Sequence, residues 1–164
     1  MRTVLRMSAG LLGLALMATT VQAQTNNATI TATAVVQSPI NVTGFAPLDF
    51  GNVFPGVNKT VAVTDATAGR FDVTGANSAP VFMTFALPTD LASGGNLLPI
   101  GTWTGNWNTT ASPTGTGFTP SAGTTGATLS GTGLLFVYVG ATVSPAVAQP
   151  AGTYNGSVQL TVTY

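Results

Sequence analysis

The 164-residue chain contains no cysteine, no histidine and no glutamate, and Lys59 is its only lysine. Without cysteine there is no disulfide, no thiolate nucleophile and no cysteine-ligated zinc. Without histidine, neither a Ser–His triad nor a Cys–His pair can be assembled, and the commonest zinc ligand is missing. The acids are Asp49, Asp65, Asp72 and Asp90 alone. Two aspartates can in principle act as an acid/base couple. Each of these, however, sits at or near a predicted turn or strand end, where an Asp side chain commonly accepts a hydrogen bond from the backbone just beyond it. Calcium loops need several clustered acids, and the nearest pair is Asp65 and Asp72. With Gly69-Arg70 between them, an ion pair or turn hydrogen bond involving Arg70 is expected there in place of a metal. The chain is expected to be non-enzymatic, with no catalytic, metal or cofactor site.

Charge is equally scarce and is distributed unevenly. Arg2 and Arg6 precede an uncharged stretch, Met7–Val21, centred on Leu11-Leu12-Gly13-Leu14-Ala15-Leu16-Met17, and Val21-Gln22-Ala23 supplies small residues. This is the order of a secretory signal peptide, with cleavage expected after Ala23. The apolar run is too short, and too interrupted by Thr19 and Thr20, for the roughly 18 residues of a membrane span. With no cysteine there is also no lipobox. Residues 24–164 then form one domain-sized unit carrying Lys59 and Arg70 against four aspartates, a net charge of −2. Two cations cannot build the patch that neutralises phosphates, so nucleic acid is not an expected partner, and no stable membrane span remains. Secretion, with passage through the periplasm to the cell surface or the extracellular space, is the expected destination.

What is present is Thr, Val, Ala, Gly, Asn and Ser, punctuated by Gly and Pro, with no long segment of helical period. That is the pattern of many short strands joined by turns, an all-β sandwich or barrel. Alternation places a first strand over Ala28–Gln37, with Ile30, Ala32, Ala34 and Val36 on one face. Turns are expected at Gly51 and Pro55-Gly56. Further strands are expected around Val57–Val63, at Phe71–Val73, and over Val81–Leu87. A Gly/Thr-rich connection at about 89–133 has weak alternation and is expected to hold at most a hairpin. Leu134–Val143 is apolar on both faces and should be central. Tyr154, Val158, Leu160, Val162 and Tyr164 share one face of a final strand.

Two segments resemble a known family. Thr31–Gly56, TATAVVQSPINVTGFAPLDFGNVFPG, and the ending Pro150–Tyr164, PAGTYNGSVQLTVTY, are similar to bacterial secreted proteins catalogued as domain of unknown function 4402, as is Phe71-Asp72-Val73-Thr74-Gly75. The closing strand also resembles that of chaperone–usher pilins and spore-coat-U type proteins. That resemblance implies a mostly antiparallel, immunoglobulin-like (pilin-like) sandwich lacking one strand, which a periplasmic chaperone and then a neighbouring subunit would complete, an outer-membrane usher being a further partner. The physical mode is β-strand addition.

These readings yield two functional expectations. The first is a subunit of a surface fibre, pilus or extracellular layer, self-associating or joining related subunits. Its assembly strands would be Ile30, Ala32, Ala34 and Val36 at one end and Val158, Leu160, Val162 and Tyr164 at the other. The second is a monomeric secreted carbohydrate-binding or adhesive module in which Trp103 and Trp107, four residues apart, form an aromatic platform. The competing role for both rings is packing onto the sheet.

Overall fold

The computed structural model describes residues 24–164, and the expected signal peptide lies outside the described residues. The chain divides into two units, Met1–Ala34 and Val35–Tyr164. The described part of the first, Gln24–Ala34, is exposed and has no regular secondary structure. Val35–Tyr164 holds ten strands, and no helix occurs among the described residues.

The strands are β1 (Asn41–Ala46), β2 (Lys59–Val61), β3 (Gly69–Thr74), β4 (Pro80–Ala86), β5 (Asp90–Ser93), β6 (Asn96–Asn108), β7 (Thr116–Phe118), β8 (Thr125–Thr128), β9 (Leu134–Val143) and β10 (Gln159–Thr163). Seven form one sheet of order β1-β3-β9-β6-β5, with β2 also on β9 and β7 also on β6; the other three form a sheet of order β10-β4-β8. Every pairing is antiparallel.

Alternation explains where the core sits. Successive strand side chains point to opposite faces, so Leu135, Val137, Val139, Ala141 and Val143 of β9 all face one way, and each is almost fully buried. The first three join Val73 of β3 and meet Val81, Met83, Phe85, Ala127, Leu129 and Leu160 of the small sheet and its flanks. The small sheet does not reach the far end of β9. There Ala141 and Val143 form a second cluster with Leu98 and Ile100, onto which Leu48, Phe50, Val53, Leu91, Trp103 and Tyr154 pack. Loops therefore cover one half of the inner face and a sheet covers the other.

Several expected boundaries are corrected. Ala28–Gln37 is not a strand: Ile30 is 90% exposed and Val36 94%, and β1 begins only at Asn41. Alternation gives a segment the capacity to be a strand, but its backbone groups still need a partner. The strand expected around Val57–Val63 shrinks to Lys59–Val61. The supposed connection at 89–133 contains four strands, among them β6, the longest in the protein. Its alternation is broken where the β6–β9 register shifts between Gly101 and Thr104, a bulge in which Thr102 takes a positive φ of 48°. Gly94-Gly95, with φ of 52° and 90°, links Ser93 to Asn96 in the two-residue hairpin that needs such angles. Tyr154 lies in a loop before β10 and not in the final strand. Gly156 permits the close packing there, since a Cβ would come within 2.6 Å of Leu91 Cδ2.

Leu135, fully buried between the sheets, should be among the costliest truncations. Leu135→Ala is expected to lose about 2–5 kcal/mol in urea unfolding. Phe54→Ala, at an exposed ring, should change stability by less than about 0.5 kcal/mol.

Candidate functional site

β10 and β1 are the edge strands of their sheets on the same side of the molecule. β1 pairs only with β3, and β10 only with β4. Since β3 and β4 both feed the shared core, the two open edges face the same seam. Ile40 and Val42 on one side of it, and Val158 and Val162 on the other, pack against the core cluster yet remain half-buried. Leu160 alone of the expected β10 set is fully buried. Its neighbours line the seam because β10 has no further strand beside it.

Tyr164 clasps one end of that seam. Its hydroxyl accepts a hydrogen bond from the Ala76 N–H at 2.7 Å and donates one to the Ser38 carbonyl. Gly75 makes room for this, because a Cβ there would lie 2.8 Å from the Tyr164 hydroxyl. Thus β10, the β3–β4 turn and the segment leading into β1 are tied through a single phenol.

At the other end the seam opens into a groove of about 1200 Å³. Its floor is apolar, with Phe71, Leu98, Ile100, Val139 and Val143; one wall is Gly44–Pro55 and the other is Gln149–Val158. The walls are built by local polar chemistry. Asp49 Oδ1 accepts from the Gly51 N–H at 2.8 Å, and Gly51 takes a φ of 59°. Across the groove, Gln149 Nε2 donates to the Leu97 carbonyl and to the Tyr154 hydroxyl, which in turn donates to the Pro150 carbonyl. Both walls overlap the segments LDFGNVFPG and AGTYNGSV, so these motifs shape one feature. Sequence reasoning missed the groove, because its floor is contributed by β3, β6 and β9.

Asp65 Oδ2 accepts from the Ala62 N–H in a turn, and Asp90 accepts from Thr89 Oγ1. Asp72 forms a two-pronged ion pair with Arg70, at 2.7 and 2.9 Å. Trp103 packs on the second cluster and Trp107 on the first. The two rings form no aromatic pair with each other among the described residues. Among these residues no helix is long and apolar enough to cross a membrane.

With the fold and groove in view, the comparison with known families is decisive on one point. Residues 40–164 match the family described as Domain of unknown function (DUF4402). The chain belongs to this family. The match starts at Ile40, directly before β1, and covers both groove walls, both open edges and the whole of β9, leaving Gln24–Pro39 outside it. No curated protein matches the chain.

The phenol clasp gives a direct test. Tyr164→Phe should cost about 1–2 kcal/mol in urea unfolding, since it strands the buried Ala76 N–H, and should speed hydrogen exchange at that amide. An unchanged Ala76 exchange rate would show that the clasp does not close in solution.

Proposed function

We propose that this DUF4402 protein is a secreted, non-enzymatic structural subunit that assembles through β-strand pairing into a surface fibre, pilus or extracellular layer. In this reading the two sheets form an immunoglobulin-like, pilin-like sandwich. The observation that carries it is the pair of open edges, β1 and β10, along one half-exposed apolar seam. Unpaired strand edges are templates for another chain, and proteins that do not use them usually blunt them with charge, proline or a covering loop. β10, Gln-Leu-Thr-Val-Thr, carries none of these charges and no proline.

The same chain contains a segment suited to fill such a seam. Ile30, Ala32, Ala34 and Val36 alternate with Thr29, Thr31, Thr33 and Val35 in an exposed stretch that precedes the first strand. Donated to a second copy, it would supply main-chain hydrogen bonds to the β10 edge. Its alternate side chains would cover Val42, Val158 and Val162 and continue toward the groove floor. Phe54, Val57 and Val147 are also exposed, on two loops joined by the Gly56–Ala146 backbone hydrogen bond. They offer a second apolar contact between neighbours.

The test is assembly by residues 24–164 with and without the proposed donor. The intact form should give oligomer ladders that resist mild denaturant. Deleting residues 24–36 should abolish the ladders without lowering the melting temperature, and added Gln24–Gln37 peptide should bind the deleted form. A stable monomer indifferent to that peptide would overturn strand donation.

A further inference from the structure

We infer that Asn155 is a site of spontaneous covalent modification, and that its conversion releases one wall of the groove. The reaction neither needs nor tests strand donation. Asparagine is among the thermolabile residues, and Asn155-Gly156 is the one place in this chain where an asparagine precedes a glycine. With no side chain on the following residue, its main-chain nitrogen reaches the asparagine carboxamide with the least hindrance.

The fold requires that glycine. A Cβ on Gly156 would come within 2.6 Å of Leu91 Cδ2, so no larger residue can shield the site. Both reacting groups are also free. Asn155 and Gly156 are exposed, and among the described residues neither the Asn155 carboxamide nor the Gly156 N–H makes a hydrogen bond. Asn77 is the contrast within the same molecule. It too is exposed and precedes a small residue, Ser78, but the Ser78 N–H donates to the Ser130 carbonyl at 2.8 Å. That nitrogen is held away from attack.

What restrains Asn155 is its own main chain. Its carbonyl accepts from the Ala92 N–H at 2.8 Å, and its N–H donates to the Ala92 carbonyl at 3.0 Å. This bridge to β5 is isolated, and between Pro150 and Val158 no other main-chain hydrogen bond forms. A wall pinned at one residue opens locally more easily than a strand inside a ladder, and each opening frees the backbone to turn Gly156 toward the carboxamide.

The step needs only the chain and water. The deprotonated Gly156 nitrogen bonds to Asn155 Cγ, the bond from Cγ to the amide nitrogen breaks, and that nitrogen departs as ammonia with the proton Gly156 gave up. A five-membered succinimide remains. Water opens it at Cγ to give aspartate, or at the α-carbonyl to give isoaspartate, whose main chain runs through Cβ and Cγ. Both products add negative charge to the wall. Isoaspartate also turns the carbonyl that accepted from Ala92 into a pendant carboxylate and lengthens the main chain by a carbon, so the paired geometry of the bridge is lost. The Gln149–Val158 wall then has no main-chain tie to β5.

The test is to age the purified protein at mildly alkaline pH, where more of the attacking nitrogen is deprotonated, and to map its peptides by a method that separates asparagine, aspartate and isoaspartate. Asn155 should be lost faster than Asn77 and every other asparagine, with isoaspartate among the products. Asn155→Gln, in which attack would close a six-membered ring, should keep its amide. Ala92→Pro removes one bond of the bridge at a nitrogen that faces Asn155 and not β6, a position where an edge strand tolerates proline, and should speed the loss. Hydrogen exchange at Ala92 should be faster in the isoaspartate form than in Asn155→Asp, which gains the charge at normal chain length. Asn155 outlasting Asn77 overturns the site. A rate unchanged by Ala92→Pro overturns control by the bridge, and equal Ala92 exchange in the isoaspartate form and in Asn155→Asp overturns release of the wall.

Discussion

Burial of the inner face of β9 along its whole length organises the rest of the molecule. A strand whose inward residues Leu135, Val137, Val139, Ala141 and Val143 are all essentially inaccessible must be covered along its whole length, and must have neighbours on both sides to satisfy its backbone. β3 and β2 lie along one side and β6 along the other. The small sheet covers the first half of the inner face, and the loops at Leu48–Val53 and near Tyr154 cover the second. The division between a sheet-covered half and a loop-covered half produces the groove, since loops leave room where a sheet would not.

Stability without disulfides follows from the same arrangement. The buried hydrophobic side chains are almost all aliphatic, and no polar or charged residue is buried among the described residues. No desolvation cost of a buried charge is therefore set against the hydrophobic gain. The few charges act locally instead. Aspartates shape turns, and Arg70 is held by Asp72 and three aromatic rings on the outer face. A surface with so little charge has little to oppose contact with another copy, which fits a protein proposed to assemble through its open edges.

Much of the fold was legible because it rested on local patterns. Val81–Leu87 alternates cleanly, and β4 buries Val81, Met83 and Phe85. Leu134–Val143 is apolar on both faces, and β9 is central. The turns at Gly51 and Pro55-Gly56 were marked by residues that turns need. β6 was hidden because its alternation is interrupted by a bulge and diluted by Gly, Thr and Asn, and its strand character comes from pairing with β9, β5 and β7. Ala28–Gln37 misled in the opposite direction. It has strand periodicity without a strand beside it, and periodicity alone does not satisfy backbone hydrogen bonds.

By itself the sequence determined the all-β class, the family and the poverty of catalytic side chains, since each depends on residue types and their local spacing. Only the tertiary structure decided which edges stay open, where the groove lies, and that Trp103 and Trp107 pack on different clusters. These features depend on register between strands far apart in the chain, and a register shift of one residue reverses every face.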